Sequence, residues 1–327
     1  MSAPLKKLHV PSSDTLSLNN PVICIVGPTA SGKSHLAQEI ALSIQAEIVS
    51  ADSMQIYRGM DIGTGKVFPH EMKVKHWGID ICDPGEPYSA SLYQNYARNC
   101  FSDIDNRGSR IVLCGGTGFY VRAAIDDMDF PAGEQQGNPM REYYQAIADE
   151  QGNQVLWEML REKDPDSASI IHPNNSRRVI RAFEMIGQGL SYAQQHKNFS
   201  QMQQKVPALF LGLQVEKEPL VAAIDERVEK MIDSGLVKEV ETLLEKGFRA
   251  GITSAQAIGY KEIVAALEGD CTLDQAIADI KTASHRYAKK QRTWFKKDTR
   301  ITWISVDLKH PECVFDEAMH LIMDKIS

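Results

Sequence analysis

The sequence contains no segment that would hold the protein in a membrane or direct it across one. None of its 327 residues lies in a run that approaches the ~18 to 20 consecutive apolar residues of a membrane-spanning helix. The first twenty residues include two lysines but no continuous apolar segment and no small-residue cleavage site, so they do not predict a secretory signal. We expect a protein without membrane contacts that begins with a disordered tail over residues 1–20.

Clustered cysteine and an excess of positive charge are also missing. The six cysteines are spread singly, without a C-x-x-C pair or a Cys/His cluster at metal-ligand spacing, which argues against a zinc site and for a reducing, cytoplasmic location. Lys and Arg number 36 against 43 Asp and Glu, so the formal net charge is −7. That total disfavours a protein that coats nucleic acid through bulk charge, but it leaves a local basic surface open.

The sequence does contain short apolar runs that alternate with helical patterns. VICIVG (22–27), EIVSAD (47–52) and RIVLCGG (110–116) predict buried strands, and helices are predicted at 32–44 and 89–106. Strands that alternate with helices are typical of βαβ units and a parallel sheet. Further strands are predicted at 208–215 and 301–306, and further helices at 218–247, 253–268, 272–296 and the C-terminus.

The composition changes between residues 131 and 200. After the loop PAGEQQGNP the sequence is polar and helical in pattern, without a strand candidate. We therefore predict two parts, an α/β core formed by residues 21–130 and 201–327, and a helical insertion domain over residues 131–200.

Residues 27–34, GPTASGKS, match the pattern G-x-x-x-x-G-K-S between a predicted strand and a predicted helix. In that context Gly27 and Gly32 let backbone N–H groups converge on a phosphate, Lys33 adds a mobile cation, and the Ser34 hydroxyl helps to hold Mg²⁺. The motif predicts a parallel-sheet core like that of the P-loop nucleoside-triphosphate hydrolases. It is typical of proteins that bind ATP, other nucleotides or other phosphate compounds, and the alternative is a glycine-rich turn without a ligand.

The motif leaves the phosphate compound open. A nucleotide-hydrolysing enzyme is expected to carry an acidic residue at the end of the third strand, but here that strand continues into Gly115, Gly116 and Thr117. No Asn-Lys-x-Asp guanine motif is present either. A diphosphate or a phosphorylated small molecule is therefore a serious candidate for the ligand.

Asp52 follows the second predicted strand. Ligands bind beyond the carboxyl ends of parallel strands, so we expect Asp52 and Thr117 to face the loop that carries Lys33. A carboxylate there would serve as a general base, yet an Asp before a Ser is equally typical of a turn or helix cap. Position alone does not separate these two roles. The Gly- and Thr-rich stretch 59–66 is a predicted loop near the same place, or simply a surface connection.

The chain resembles the tRNA dimethylallyltransferase family over roughly residues 22–300, through segments that occur together and in order: GPTASGKS, SADSMQIYRGMDIGTGK, CGGTGFY, HPNNSRRVIRAFE, SAQAIGYKE and KKQRTWF. That family transfers a dimethylallyl group from dimethylallyl diphosphate to the exocyclic amine of the adenosine just 3′ of the anticodon, and it does not split ATP. The absence of a Cys/His zinc finger before Ser327 is similar to the bacterial type.

The resemblance implies roles for single residues. Asp52 resembles the base that takes the amine proton, Thr117 the residue that contacts the leaving diphosphate, and Arg227 an arginine that clamps it. Diphosphate binding, with Mg²⁺ near Ser34, is implied for Gly27, Pro28, Thr29, Ala30, Ser31, Gly32, Lys33 and Ser34. Contacts with tRNA are implied for Asp52, Ser53, Met54, Gln55, Thr117, Arg177, Arg178, Val179, Ile180, Arg181, Gln256, Ala257, Ile258, Gly259, Tyr260 and Lys261.

Positive charge is concentrated in residues 281–300. This segment contains eight Lys or Arg residues and one acid, Asp298, so it carries +7, and because the whole chain carries −7 the remainder carries −14. A helix with one packed side and one side that faces phosphates fits the pattern, and so does a solvated helical face. The resemblance favours phosphate contact.

Other functions stay open on the residues alone. They are a small-molecule kinase of the P-loop type, an adenylate isopentenyltransferase, and a nucleotide-gated binding module without chemistry. The Gly-Gly-Thr strand end disfavours the kinase, and the basic segment disfavours a small substrate. Nothing in the sequence demands a second subunit, so we expect a monomer whose partners are tRNA and dimethylallyl diphosphate.

Overall fold

The chain folds into two compact units. The structure, a computed structural model, describes residues 16–130, 138–251, 253–308, 310 and 312–326. The first unit comprises Met1–Ile125 and Gln204–Ser327, and the second comprises Asp126–Gln203. Residues 1–15 of the predicted tail and residues 131–137 of the predicted insertion lie outside the described residues.

A parallel sheet forms the centre of the first unit. Its strands are β1 (Val22–Val26), β2 (Ala46–Ser50), β3 (His76–Trp77), β4 (Arg110–Gly115), β5 (Ala208–Val215) and β6 (Ile301–Val306). They lie in the order β3-β2-β4-β1-β5-β6, and Val26 at the end of β1 is opposite Gly115 at the end of β4. The loops that follow β1 and β4 therefore leave the sheet side by side. The α/β fold class predicted from the alternating pattern is confirmed.

Helices cover both faces of this sheet, which explains why its central strands are uninterrupted apolar runs. Along β1, Val22, Cys24 and Val26 pack into one core cluster while Ile23 and Ile25 pack into another. The helices of both units are α1 (Lys33–Ser43), α2 (Ala90–Asn106), α3 (Gly118–Ile125), α4 (Pro139–Gln151), α5 (Asn153–Lys163), α6 (Pro165–Ile170), α7 (Ser176–Ile186), α8 (Tyr192–Ser200), α9 (Lys217–Asp233), α10 (Leu236–Glu245), α11 (Tyr260–Glu268), α12 (Leu273–Phe295) and α13 (Glu312–Ile326). None of these described helices combines the length and the apolar character that crossing a bilayer requires.

Five helices, α4 to α8, form the second unit within its described residues from 138 onward. Its core includes Tyr144, which stacks on Phe183 with ring centroids 3.9 Å apart. Glu184 is 3% exposed, and its charge is balanced by Arg141 at 2.7 Å and Arg181 at 3.0 Å. The unit thus has its own apolar core and its own internal ion pairs.

The described end of the predicted disordered tail is ordered, so that prediction is wrong for residues 16–19. Leu16 and Leu18 pack, partly buried, against the main core. Asn19 donates from its backbone N–H and its side-chain amide to the Asp105 carboxylate over 2.9 to 3.2 Å. These apolar contacts and hydrogen bonds hold the segment against α2.

Two glycines correct the predicted helix boundaries. The helix predicted over 218–247 is two helices, because Gly235 adopts a φ of +100° that a continuous helix does not allow. The helix predicted over 253–268 begins only at Tyr260, after Gly259 at a φ of +94°. A 3₁₀ turn at Ser254–Gln256 and a short extended link precede it, and this link becomes part of the site. The two-residue strand β3 was not predicted.

Replacing Leu113 by alanine should lower the free energy of unfolding by about 2 to 5 kcal/mol, because this β4 side chain is 0% exposed and its loss leaves a cavity. The matched control is Leu42→Ala on α1, where the side chain is 54% exposed and a change within about 0.5 kcal/mol is expected. Urea denaturation of the two variants beside the unmodified chain makes the comparison. Equal losses would contradict the burial pattern of β4.

Candidate active site

The phosphate loop, residues 27–34, connects β1 to α1 in a strongly curved backbone. Gly27, Ala30 and Gly32 adopt φ values of +151°, +60° and +83°. A Cβ at Gly27 would lie 3.1 Å from the Leu213 carbonyl oxygen, so glycine is also needed there for close packing on β5. Backbone that alternates in this way before a helix N-terminus is typical of an anion-binding nest.

Lys33 and two serines complete the loop. The Lys33 ammonium donates to the Pro28 carbonyl at 2.8 Å, and burial lowers the pKa of Lys33, while Cys114 and Asp52 act in the opposite direction and Arg227 adds to the lowering. The Ser31 hydroxyl is buried and has no hydrogen-bond partner among the described residues. Ser34 is exposed on the first turn of α1. An anion bound here would satisfy the buried hydroxyl and the cation together.

Arg227 of α9 lies 198 residues after Thr29 in the sequence but reaches the same loop. Its guanidinium donates to the Thr29 hydroxyl and, over 3.3 Å, to the Thr64 carbonyl. Gly65 makes room for it, because a Cβ there would collide with the guanidinium. Burial lowers the pKa of Arg227, whereas the Asp52 carboxylate raises it. The structure therefore brings Arg227 to the phosphate loop, as the sequence resemblance implies.

Asp52 and Thr117 meet beyond the ends of β2 and β4. The Thr117 hydroxyl oxygen accepts the Ser53 backbone N–H at 3.0 Å and lies 3.3 Å from the Ser53 hydroxyl. Asp52 accepts the Met54 N–H at 2.9 Å, so it does cap the turn. It also lines a cavity, so the two roles that its position left open are compatible.

Glu239 of α10 holds the loop at residues 61–65 in place. Its carboxylate accepts the backbone N–H groups of Asp61, Ile62 and Gly63 at 3.1, 2.8 and 3.3 Å. It also accepts the Tyr260 hydroxyl at 2.6 Å. The predicted loop is thus part of the site rather than a plain surface connection. Sequence reasoning missed Glu239, and no local pattern distinguishes it from other helical acids.

These elements enclose a cavity of about 290 Å³. Its polar lining includes Thr29, Asp52, Ser53, Thr64 and Arg227, and its apolar lining includes Ile224, Val228, Met231, Ile258 and Ile280. An anion-binding end and an apolar surface in one concave space suit a ligand that joins a phosphate group to a hydrocarbon group.

Several of the residues implied to contact tRNA line this cavity too. Met54 does so, as do Gln256 at the end of the 3₁₀ turn and the three residues of the link, 257–259. Gln55 instead holds the turn, accepting from the Ser50 hydroxyl at 2.9 Å and donating to the Gly65 carbonyl at 3.3 Å. Tyr287 of α12 lines the cavity without having been predicted, and burial, aided by Asp52, raises its pKa to about 12.

Three further side chains implied to contact tRNA are buried away from the cavity, so in this structure they present no surface to RNA. Tyr260 is 0% exposed and packs behind Gly63, where a Cβ would lie 2.5 Å from its ring. Val179 and Ile180 are 0% and 1% exposed in the core of the second unit. Each belongs to a motif that mixes core and surface positions. Arg177 and Arg178 are exposed on that unit, and Lys261 is exposed on the first.

The basic segment forms an exposed surface on α12 and just after it. Lys281 pairs with Glu229 and Arg300 with Asp298, so these two are locally neutralised. The other six, which we call the basic surface, make no ion pair within the part of the chain that the structure describes: Arg286, Lys289, Lys290, Arg292, Lys296 and Lys297. Four of them, with Lys217 and His285, line a second cavity of about 540 Å³. This surface is suited to a polyanion.

Comparison with known proteins identifies the family. Residues 55–298 match the IPP transferase family, and residues 20–77 match the Isopentenyl transferase family. The tRNA dimethylallyltransferase of Bacillus subtilis is 42% identical over 88% of this chain and 91% of that protein. This chain belongs to the IPP transferase family. The tRNA dimethylallyltransferase of Carboxydothermus hydrogenoformans, 44% identical over 88% of this chain and 92% of that protein, agrees with the assignment.

Solved structures of the family share the fold. A tRNA delta(2)-isopentenylpyrophosphate transferase from Staphylococcus epidermidis superposes with a TM-score of 0.68 at 36% identity, covering 93% of this chain and 99% of that one. A eukaryotic dimethylallyltransferase acting on tRNA gives a TM-score of 0.75 at 28% identity, covering 92% of this chain and 78% of that one. The family resemblance drawn from the sequence motifs is confirmed.

Removing the Glu239 carboxylate should loosen the loop at residues 61–65. In Glu239→Ala the three loop amides lose their acceptor, so hydrogen exchange at Asp61, Ile62 and Gly63 should accelerate by about tenfold or more. Glu241→Ala is the control, because Glu241 lies on the same helix but, among the described residues, pairs only with Lys238, at 3.0 Å. Mass spectrometry of exchanged peptides reports the difference, and unchanged exchange would show that the loop holds itself.

Proposed function

We propose that this chain transfers the dimethylallyl group of dimethylallyl diphosphate to the exocyclic N6 amine of the adenosine 3′-adjacent to the anticodon in tRNA, giving isopentenyladenosine. The observation that carries the proposal is the cavity of about 290 Å³, in which one carboxylate, Asp52, lies with Arg227, Thr29 and an apolar lining. Family membership supports the reaction class, and the polar and apolar lining of the cavity supports the roles given to its residues.

The diphosphate fits the polar end of the site. The phosphate loop offers backbone N–H groups and the positive end of α1, while Lys33 and Arg227 offer mobile cations. Five-carbon apolar groups fit the lining that Ile224, Val228 and Met231 provide along one face of α9. The site would therefore contact both the diphosphate and the dimethylallyl group of the donor.

The transfer step needs a base and a stabilised leaving group. The N6 nitrogen attacks the allylic carbon, the carbon–oxygen bond to the diphosphate breaks, and the bonding electron pair leaves with the diphosphate. Asp52 accepts the proton that N6 loses, and Thr117 contacts the departing oxygen. Holding both reactants in one geometry matters as much, because an aromatic amine is a poor nucleophile.

Magnesium fits the donor set as a partner of the substrate rather than of the protein. Within the described residues no group of three or more His, Cys, Asp or Glu side chains is placed to hold a metal. Mg²⁺ commonly takes one or two protein ligands, with waters and substrate phosphates completing its shell. Ser34, on the first turn of α1, would be such a ligand. When bound, Mg²⁺ supplies positive charge against the charge of the diphosphate.

The RNA would be held by the basic surface and by exposed arginines of the second unit, Arg177 and Arg178. Reaching N6 requires the target adenosine to leave the anticodon-loop stack, which costs a few kcal/mol that backbone contacts must offset. We expect the protein to act on its RNA as a monomer.

The direct test incubates the chain with labelled dimethylallyl diphosphate, Mg²⁺ and an unmodified anticodon stem-loop with adenosine just 3′ of the anticodon. Label should appear on this RNA and not on a stem-loop with guanosine at that position. AMP serves as a second acceptor, since label on AMP alone would favour an adenylate isopentenyltransferase. ATP-dependent phosphorylation of a metabolite without RNA labelling would favour a kinase.

Asp52→Asn should lower kcat by about a hundredfold or more, because the amide cannot accept the N6 proton. The substituted side chain keeps the oxygen that accepts the Met54 N–H, so the turn and the binding of both substrates should persist. The control is Asp83→Asn, which alters an exposed acid paired with Arg58 at 2.7 Å. A rate for Asp52→Asn within a few-fold of the unmodified chain would remove Asp52 from the mechanism.

Replacing Lys289 and Lys290 together by glutamine should weaken binding of the stem-loop and reduce its salt dependence. If each lysine neutralises one phosphate, the slope of log affinity against log salt falls by about 1.4 to 1.8. Lys230→Gln with Lys238→Gln removes two exposed lysines that pair with Glu226 and Glu241. That control should leave the slope unchanged. Equal slopes in the two double variants would indicate that the basic surface is only a solvated face that does not contact RNA phosphates.

A further inference from the structure

Gln291 joins two loops of the site from the buried face of α12. Its side-chain oxygen accepts the Thr29 backbone N–H at 2.8 Å, and its side-chain nitrogen donates to the Gly116 carbonyl at 3.0 Å. The residue is 5% exposed although its immediate neighbours in sequence include the basic surface. One neutral amide thus satisfies a donor in the phosphate loop and an acceptor in the loop after β4.

The loop after β4 has glycines where α12 approaches. A Cβ at Gly116 would collide with the side-chain nitrogen of Gln291, and a Cβ at Gly118 would collide with the indole of Trp294. Gly115 has a different reason, since a Cβ there would meet the Ala51 backbone. Two of the glycines in this segment are therefore explained by contact with one helix rather than by a phosphate.

Of the two loops that Gln291 joins, one belongs to the anion-binding part of the site and the other lies beside Asp52. Thr29 is part of the phosphate loop and its hydroxyl accepts from Arg227. Gly116 directly precedes Thr117, whose hydroxyl oxygen accepts the N–H of Ser53, the residue after Asp52. The Tyr287 hydroxyl, one turn earlier on α12, lies close to the side chains of Thr117 and Gln291. A shift of Gln291 would move the anion-binding half of the site relative to the half with Asp52.

We propose that Gln291 is a positioning residue. It fixes the distance from the phosphate loop to Thr117 and Asp52, so that the donor diphosphate is held at the correct distance from the carboxylate that activates the amine. This inference rests on the proposed function. The side chain need not touch either substrate, because it acts through the backbone of Thr29 and Gly116. Its loss leaves a buried donor and a buried acceptor unpaired and lets the two loops separate.

The main variant is Gln291→Met, which keeps the length of the side chain and removes both hydrogen bonds. We expect KM for dimethylallyl diphosphate to rise by about tenfold or more and kcat to fall by about tenfold or more, while KM for the stem-loop stays within about twofold. A residue needed only for folding would lower the active fraction, so kcat would fall with both KM values unchanged. That second pattern would overturn the proposal.

Gln291→Glu adds a readout that folding does not move. The introduced carboxylate can accept from Thr29 but cannot donate to Gly116, whereas the protonated carboxyl can do both. Burial favours the neutral form and raises the pKa of that carboxyl above its ordinary range. KM for dimethylallyl diphosphate should therefore fall toward the unmodified value as pH is lowered from about 8 to about 6, a trend absent from Gln291→Met and from the unmodified chain.

Two more variants keep the test decisive. Gly116→Ala leaves Gln291 intact but displaces its side chain, so it should raise KM for the donor as Gln291→Met does, even if Gln291→Met fails to fold. Gln275→Met is the matched control, because Gln275 lies on the first turn of α12 and, within the part of the chain that the structure describes, its side chain hydrogen-bonds only the exposed Asp279, at 3.1 Å. It should leave both KM values unchanged.

Binding of inorganic diphosphate, measured by calorimetry without RNA, separates this inference from the proposed function. The unmodified chain should bind diphosphate, and Gln291→Met and Gly116→Ala should bind it about tenfold more weakly or worse. Equal diphosphate affinity in all variants, with stem-loop prenylation intact, would overturn the role of Gln291 alone. Normal diphosphate binding without prenylation of any stem-loop would overturn the proposed function instead.

Discussion

Two cationic side chains, Lys33 and Arg227, face a single carboxylate, Asp52, at the phosphate loop, and the rest of the site follows from that imbalance. Burial lowers the pKa of both cations, and Asp52 counteracts the shift in each case. Partly desolvated charge without a full set of partners is costly, so the folded chain favours an anion at this place. A diphosphate, with its dense charge, would restore the balance, and in the proposed reaction the same cations would stabilise its departure.

Side chains from distant helices support the loops around this charge. Glu239 satisfies three successive amides of the loop at residues 61–65. Gln291 satisfies one amide of the phosphate loop and one carbonyl beside Thr117. Each loop also uses glycines to bend or to admit a neighbour closely. Side chains from the helices thus add to the preorganisation of the loops.

Those distant supports mark the limit of what the sequence predicted. The central strands, the phosphate loop and the place of Asp52 were predictable because each depends on a few consecutive residues. Gln291 and Glu239 were not, because their partners lie 262 and 178 residues away and their own neighbourhoods resemble any helix. Burial was equally unpredictable at Val179, Ile180 and Tyr260, which share motifs with exposed residues. One motif contains both core and surface positions, and only the packing in the folded chain shows which residues are which.

Helix α12 connects the two surfaces that a tRNA-modifying enzyme needs. Its inward side places Ile280, Ser284, Tyr287 and Gln291 at the cavity or beside the phosphate loop, while its outward side carries most of the basic surface. RNA phosphates bound on that outward side would therefore be attached to the same rigid element that sets the separation of the catalytic loops. The net charge of −7 does not reveal this arrangement, because it sums the +7 of residues 281–300 and the −14 of the rest of the chain. What matters for the reaction is that the positive charge lies on the helix that also fixes the site.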